Sequence, residues 1–294
     1  MIDYFFHKVD PKNVKISMVM MVKNEEDIIA DNIKFHANIG VDNFVILDNG
    51  STDNTGDILK ELSKDYEIII DYNPSKAYKQ KEWMTKLAKK AKKLFNPDWI
   101  INNDADEFWA PKNAKSLKEV LNFKGGVLQV QRSNMLLYEG INNYKESEYR
   151  VINQILTRED YENLNIMLGK IGRKTIINPH GYIKTNAGNH SAEHIAFWKK
   201  NTPDNIHIYH YPFRTFKQFE TKVKLYVEIL KANPKAKIGP HVKKWAKQYM
   251  DGKIEEEWNK IKVAQKDLEC LQKFNIIKKD TTMKNLFKEF GLLK

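Results

Sequence analysis

Two aspartates directly after an apolar segment have the residue type and spacing best suited to chemistry in this chain. The apolar run Trp99–Ile101 follows a turn signal, Asn96-Pro97-Asp98, and this pattern predicts a short buried strand. Asp104 and Asp106 then lie at the carboxyl end of that strand. Hard divalent cations bind carboxylate oxygens and keep positions for substrate phosphates, so the pair could hold such an ion. Taken alone, a solvated acidic turn is the more common explanation of so short a pattern.

The elements in front of these aspartates alternate between strands and helices. Strands are expected at Ile16–Val22, Phe44–Leu47 and Tyr66–Ile70, and helices after Asn24 (as its N-cap), at Asp57–Leu62 and at Lys76–Phe95. This order predicts an α/β fold with a mainly parallel central sheet. Ligands bind beyond the carboxyl ends of the strands in such sheets. The loops after Val22, Leu47 and Ile101 should therefore lie at one edge.

The second half of the chain has a weaker pattern. Val127–Gln131 alternates as a strand does, and the segment after it is irregular. Thr215 followed by Gln218 is a capping-box pattern that opens a helix, and only helices are expected from there to Lys294. The expected domains are therefore residues 1–214, which carry the site, and a helical C-terminal region, residues 215–294.

Composition excludes several classes of protein. Hydrophobic residues make up 41% and charged residues 30% of 294 residues, which is ordinary for a globular protein and excludes collagen-like or disordered chains. The single cysteine, Cys270, excludes an intramolecular disulfide and a cysteine-rich zinc site and fits a reducing compartment. The first eight residues lack a signal-peptide pattern, and no apolar run has membrane-spanning length. A cytoplasmic protein is expected.

The net charge of +11 raises the possibility of anionic partners. Of the 49 basic residues only 5 are arginines, so 49 − 5 leaves 44 lysines. Base reading in DNA leans on the arginine fork, which weakens a sequence-specific nucleic-acid role. Lysines on solvated faces are the plain alternative, and a peripheral contact with an anionic membrane is a further one.

Three motifs together resemble the family 2 glycosyltransferases of GT-A fold. They are Met21-Val22-Lys23-Asn24-Glu25-Glu26, Leu47-Asp48-Asn49-Gly50-Ser51-Thr52-Asp53-Asn54-Thr55 and Asn103-Asp104-Ala105-Asp106-Glu107-Phe108. The third motif and the downstream segment 210–214, His-Tyr-Pro-Phe-Arg, resemble an Asp-x-Asp-Glu-Phe branch of that family. The resemblance spans about residues 14–220. It implies a Rossmann-like GT-A domain that transfers a sugar from a nucleotide-diphosphate donor to an acceptor hydroxyl, with Mn²⁺ or Mg²⁺ bridging the diphosphate.

The resemblance also implies roles for residues in nucleotide binding. Asn24 and Glu25 in the first loop and Asp48 in the second would clasp the nucleoside, and Asp48 could accept the ring N–H of the base. The alternative for Asp48 is an Asx-turn within its own loop. Asp104 would lie near the ribose or the metal, and Arg214 could bind a phosphate, with surface charge as its alternative.

The metal would be held by the same aspartate pair. By resemblance Asp106 coordinates the ion directly, Asp104 lies beside it, and His210 is a third ligand. The alternative for His210 is a hydrogen-bonded wall residue. Zinc binding by His190, His194 and His210 is a minor alternative, because their spacing matches no standard zinc pattern.

An inverting transfer needs a base that removes the acceptor's proton. The polar segment 188–194 contains two histidines and a carboxylate, and His190 and Glu193 are its candidate catalytic residues. The expected acceptor is a glycan or a lipid-linked molecule in surface polysaccharide or glycoconjugate synthesis. Two other functions stay open: a basic nucleic-acid-binding protein and a sugar nucleotidyltransferase. The second would be expected to have a glycine-rich first loop, and segment 22–27 has no glycine.

Overall fold

The computed structural model describes residues 2–75, 79–154, 165–196, 200–201, 203–234 and 239–294. Contacts divide the chain into two compact units. Unit 1 is Met1–Arg132 with Gly172–Ile208, and unit 2 is Ser133–Ile171 with Tyr209–Lys294. This division differs from the expected 1–214 and 215–294, because residues 133–171 and 209–214 group with the C-terminal region. Residues 76–78 of the expected helix Lys76–Phe95 lie outside the described residues.

The described residues form strands and helices as follows. The strands are β1 (Ile16–Val22), β2 (Asn43–Asp48), β3 (Ile68–Tyr72), β4 (Trp99–Asn103), β5 (Glu107–Pro111), β6 (Val127–Val130), β7 (Arg132–Asn134), β8 (Tyr149–Val151), β9 (Lys174–Ile177), β10 (Tyr182–Thr185), β11 (Ala192–His194), β12 (Lys200–Asn201), β13 (Ile206–His210) and β14 (Ile277–Lys279). The helices are α1 (Ile2–Phe6), α2 (Ile29–Asn38), α3 (Thr55–Leu62), α4 (Gln80–Phe95), α5 (Leu117–Val120), α6 (Phe216–Ala232), α7 (Pro240–Met250), α8 (Ile254–Ile261), α9 (Gln265–Lys273) and α10 (Thr282–Glu289).

Unit 1 is built on a seven-stranded sheet in the order β12-β6-β9-β4-β1-β2-β3. β1 pairs in parallel with β2 and with β4, and β2 pairs in parallel with β3. β9 runs antiparallel to both of its neighbours, β4 and β6. The expected α/β fold with a mainly parallel sheet is confirmed. Because the chain runs outward from β1 to β3 and then returns to β4 on the other side of β1, the strand order reverses between β1 and β4, which is where ligands bind in such sheets.

Helices cover the sheet of unit 1 because its strands are apolar on both sides. β1 and β2 are buried along nearly their whole length, as parallel strands are when helices cover them. The inner side of α4 packs on Val19, Val45 and Ile100 of the sheet and consists of Trp83, Met84, Leu87, Ala88 and Ala91. Their helical spacing gives α4 one apolar face, and lysines fill much of its other side.

Unit 2 has its own core of helices and short strands. Residues of α6 to α9 pack there with Leu136, Leu137 and Val151, which explains why segment 133–171 belongs to this unit. Thr215 caps α6 as expected, since its Oγ1 accepts from the Gln218 N–H at 3.1 Å. The expectation of helices alone after Thr215 is wrong at β14, which pairs antiparallel with β8. A three-residue strand is too short to leave a periodic pattern. Among the described residues, no helix has the length and apolarity needed to cross a membrane.

Candidate functional site

The loops after β1 and β2 are fastened to each other by hydrogen bonds. The Oδ1 of Asn24 accepts from the Thr52 N–H at 2.8 Å, and the Asn24 N–H donates to the Ser51 hydroxyl at 3.0 Å. The Glu25 N–H donates to the Thr55 hydroxyl at 2.8 Å. Asn24 adopts a left-handed backbone (φ 56°), so it shapes this loop instead of capping the next helix, and the expected N-cap is wrong.

Asp48 is buried at the carboxyl end of β2. Its Oδ1 accepts from the Ser51 N–H at 2.8 Å, so the carboxylate holds its own loop, which is the alternative expected for it. This contact involves one of its two oxygens. A bond from the second oxygen to a nucleotide base stays a prediction, as does the role of Glu25.

The Asp-x-Asp loop is held in place by Asn32 of α2. The Asn32 Nδ2 donates to the backbone carbonyls of Ala105 and Glu107, both at 2.8 Å, and its Oδ1 accepts from the Asn103 amide at 3.1 Å. All of these groups are buried. Buried backbone carbonyls need partners, so Asn32 fixes the conformation of the loop on either side of Asp106.

His36, one turn after Asn32, fixes the strand that follows the loop. Its Nε2 accepts from the Trp109 N–H at 3.1 Å, so the proton is on Nδ1, which donates to the Asn32 carbonyl at 2.8 Å. Complete burial lowers the pKa of His36 to about 3, although the bond to Asn32 opposes this shift. His36 is therefore neutral at physiological pH.

Asp104 is joined to a buried ammonium group. The Lys174 Nζ contacts the Asp104 Oδ2 and lies 3.5 Å from the Glu107 Oε1, and Lys174 is only 1% exposed. The other oxygen of Asp104 accepts from the Asn189 amide at 3.1 Å. Because β9 is antiparallel to β4, its first residue, Lys174, lies at the carboxyl end of β4. The Arg132 guanidinium also binds the Glu107 Oε1.

His190 follows Asn189 and lies in the same cluster of charges. Its Nδ1–H donates to the Arg173 carbonyl at 2.7 Å, so Nε2 carries the lone pair. Partial desolvation lowers the pKa of His190, and the charges of Lys174 and Arg132 act in the same direction, while the Arg173 carbonyl and Asp104 oppose them.

Two glycines allow the His190 ring to lie where it does. A Cβ on Gly172 would approach its Nδ1 to 2.9 Å, and one on Gly188 would approach its Nε2 to 2.7 Å. Gly188 also has a φ of +70°, which side chains rarely adopt. Glu193 has a different environment, since it pairs with Lys184 at 2.9 Å across the β10–β11 hairpin.

The aspartate pair fits a metal ion that takes further ligands from a substrate. In the described part of the chain, no group of three or more His, Cys, Asp or Glu side chains could hold a metal ion. A magnesium-type ion needs only one or two carboxylates when phosphates and water supply the rest. Asp104 and Asp106 are carboxylates, the side-chain type that such an ion takes from a protein. Within the described residues, the buried Oε2 of Glu107, the residue after Asp106, has no hydrogen-bond partner.

His210 and Arg214 lie in unit 2. The His210 Nδ1–H donates to the Asn134 Oδ1 at 2.7 Å, so Nε2 carries the lone pair that a ligand role requires. Arg214 is buried, and its Nη1 donates to the Tyr211 carbonyl at 3.1 Å. Asp104 and Asp106 belong to unit 1, so the roles of His210 as a metal ligand and Arg214 as a phosphate partner stay predictions.

Sequence reasoning missed Asn32, Lys174, Asn189 and Arg132. One signal was available. Lys174 is the first residue of the buried strand Lys174–Ile177, and a lysine is rarely fully buried unless its charge is paired. Asn32 lies among the apolar residues of α2 in the same way. Buried polar residues inside apolar patterns are thus the sequence feature that marks the supports of this site.

Comparison with known proteins gives a family match. The family model for "Glycosyl transferase family 2" matches residues 17–172. In a separate comparison, no curated protein matches the chain. Among solved structures, S. aureus TarS 1–349 in complex with UDP is 14% identical, with a TM-score of 0.41, over 79% of this chain and 69% of that one. Glucosyl-3-phosphoglycerate synthase from Mycobacterium tuberculosis, in complex with Mn²⁺, UDP and glucosyl-3-phosphoglycerate, is 14% identical, with a TM-score of 0.31, over 57% and 58% of the two chains.

Proposed function

Because the chain belongs to glycosyl transferase family 2 and is a nucleotide-sugar glycosyltransferase, we propose that it is a hexosyltransferase that depends on Mn²⁺ or Mg²⁺. Its acceptor is a hydroxyl of a glycan or lipid-linked molecule in surface polysaccharide or glycoconjugate synthesis. The observation that carries the proposal is the Asp104–Asp106 pair at the carboxyl end of β4, beside the strands whose loops hold Asn24 and Asp48. The strand order reverses at this position.

The residues around this pair have separable tasks in the proposal. The fastened loops after β1 and β2, with Glu25 and Asp48, receive the nucleoside. Asp104 and Asp106 hold the metal ion, which when bound neutralises negative charge on the departing diphosphate. Asn32 keeps both aspartates in a fixed loop, so little ordering remains to be done when the donor binds.

His190 is the proposed base for an inverting transfer. A base must be unprotonated at working pH, and the lowered pKa of His190 meets that condition. Its Nδ1–H bond to the Arg173 carbonyl directs the basic lone pair to Nε2. Glu193 is the second candidate and the weaker one, because its carboxylate already contacts the Lys184 ammonium at 2.9 Å.

Family membership favours this function over the two alternatives. A sugar nucleotidyltransferase would be expected to have a glycine-rich first loop, whereas the loop after β1 is shaped by Asn24 with a left-handed backbone. A nucleic-acid-binding protein would explain the charge of +11 but would leave the supports of the Asp-x-Asp loop without a purpose.

The test is thermal stabilisation by a panel of nucleoside diphosphates, each with Mn²⁺ or with EDTA. We expect one diphosphate to stabilise the wild type only with Mn²⁺, by about 2.7 kcal/mol at ~100 times its dissociation constant. Asp106→Ala should abolish this shift. Asp57→Ala, which removes an exposed aspartate of unit 1 paired with Lys60, should keep it. Absence of a shift with every diphosphate would contradict the proposal.

A further inference from the structure

The positive charge of Lys174 lies beside Asp104, one of the two proposed metal ligands. We propose that its ammonium group is a resident counter-ion of Asp104 that makes metal binding depend on the nucleoside diphosphate. Without the diphosphate, Lys174 occupies the carboxylate and the divalent ion binds weakly. With the diphosphate bound, its negative charge reduces the repulsion between the Lys174 ammonium and the divalent ion. This inference rests on the proposed function, since it assigns the aspartate pair to the metal.

The contacts of Asp104 are already made by the protein's own donors. The Lys174 Nζ contacts Oδ2, and the Asn189 Nδ2 donates to Oδ1 at 3.1 Å. Asn189 is itself buried, and its carbonyl accepts from the Thr175 hydroxyl at 3.2 Å, next to Lys174 in β9. An ion that binds to Asp104 must therefore share this carboxylate with Lys174.

Lys174 is held in this position from behind. Its Nζ lies 3.5 Å from the Glu107 Oε1, and both side chains are essentially unexposed to solvent. Arg132 binds the same oxygen of Glu107. A buried ammonium that left these two carboxylates would lose its charge partners, which is strongly unfavourable. Lys174 therefore stays beside Asp104 when a ligand arrives.

The electrostatic consequence follows from charge and distance. A divalent cation at the carboxylate that Lys174 contacts is repelled by the ammonium, and partial burial weakens solvent screening of that repulsion. Asp104 remains 35% exposed, so a ligand can reach it. A diphosphate attracts both cations. The metal and the diphosphate should therefore strengthen each other's binding, and linkage requires the effect to be reciprocal.

The experiment measures Mn²⁺ binding by electron paramagnetic resonance of the free ion, with Mn²⁺ alone and with UDP or GDP added. For the wild type we expect a dissociation constant at least tenfold weaker without the nucleotide than with it. Lys174→Met keeps the length and apolar stem of the side chain and removes its charge. It should tighten binding of Mn²⁺ alone at least tenfold and reduce the coupling with the nucleotide by a similar factor.

Two controls separate this role from a merely structural one. Lys90→Met removes an ammonium paired with Asp71 at 2.5 Å elsewhere in unit 1, and it should leave Mn²⁺ binding unchanged. Lys174→Arg keeps the charge and should keep the wild-type coupling. A structural role would weaken Mn²⁺ binding in Lys174→Met, whereas the proposal requires it to become tighter.

Equal or weaker binding of Mn²⁺ alone by Lys174→Met would overturn the inference. If that variant does not fold, Lys174→Gln, which also removes the charge, is measured in its place against the same criterion. Tight binding of Mn²⁺ by the wild type without a nucleotide would also overturn the inference. Failure of the proposed function is a separate result: the wild type would then bind no diphosphate, while the comparison of Lys174→Met with the wild type in Mn²⁺ alone could still be made.

Discussion

The chemistry proposed for His190 depends on its neighbours. An isolated imidazole has a pKa of about 6.5 and is partly protonated at neutral pH. Partial desolvation and the charges of Lys174 and Arg132 lower the pKa of His190 and leave the ring neutral. The Arg173 carbonyl selects the tautomer, and the absence of side chains at Gly172 and Gly188 makes room for the ring.

This predicts different effects for His190→Gln and Glu193→Gln. Loss of a general base typically costs 10²–10⁴-fold in rate, so we expect His190→Gln to lower kcat by about that factor while nucleotide affinity is kept. Glu193→Gln should lower kcat far less. Activity of the wild type should fall with acidification only below pH 6.5, because the neutral ring is the active form and its pKa is lowered. Steady-state kinetics with the donor identified by thermal stabilisation would measure this, and the reverse order of effects would make Glu193 the base.

At the scale of elements, α2 supports the site although none of its residues was expected there. Asn32 and His36 lie one turn apart on its buried side and bind backbone groups of the Asp-x-Asp loop and of β5. The helix thereby connects the loop after β1, which precedes it in the chain, to the loop after β4. The bond between His36 and the Trp109 N–H exists only while the imidazole is neutral, which couples this support to pH.

The free energy of unfolding should therefore contain a contribution from His36. Its pKa is lowered from 6.5 to about 3 in the folded protein, so the unfolded chain binds the proton first. The contribution is complete above pH 6.5 and is lost as the pH falls towards 3, by at most about 1.4 kcal/mol per pH unit. Urea unfolding between pH 7 and pH 4 would measure it. His36→Gln should be less stable at pH 7 and less sensitive to pH, and parallel pH profiles of the two proteins would contradict the assignment.

At the scale of the whole molecule, the net charge of +11 is carried mainly by lysines. Unit 2 combines lysine-rich helices with exposed apolar side chains, such as Met250 and Phe274, the latter 69% exposed. Basic faces with an exposed aromatic residue favour the surface of an anionic membrane. A cap over the acceptor or a dimer contact would use the same features, so an experiment must separate these possibilities.

Liposome flotation provides that separation. If unit 2 contacts membranes, the protein should float with vesicles that contain anionic lipid and not with neutral vesicles. Salt near 1 M should release it, because the Debye length is then only about 3 Å. Phe274→Ser should weaken flotation, whereas Tyr72→Ser, which removes an exposed aromatic residue of unit 1, should not. If the protein floats with neither kind of vesicle, the membrane contact is contradicted, and a cap over the acceptor or a dimer contact is favoured.

The strands β1 to β4, the loops that follow them and the aspartate pair could be predicted from the order of the amino acids. These features depend on local signals, namely apolar runs, turn residues and helical spacing within about 20 residues. Because strands and helices alternate along this part of the chain, the sequence also predicted that these loops lie at the carboxyl edge of a parallel sheet. The C-terminal strand β14 was not predicted, because it pairs with β8, which is distant in the sequence.

The side chains that support the aspartate pair come from segments that are far apart in the chain. Lys174 is 70 residues from Asp104, Asn189 is 85 residues away, and Asn32 is 73 residues from Ala105. Their contacts depend on the antiparallel direction of β9 and on the side of the sheet that α2 covers. The strand direction and the position of the helix both depend on the packing of the whole unit, and neither can be predicted from local sequence periodicity. The aspartates could therefore be identified from the sequence. The sequence marks Lys174 only as a charged residue at the start of a short strand, and its partner Asp104 follows from the fold alone.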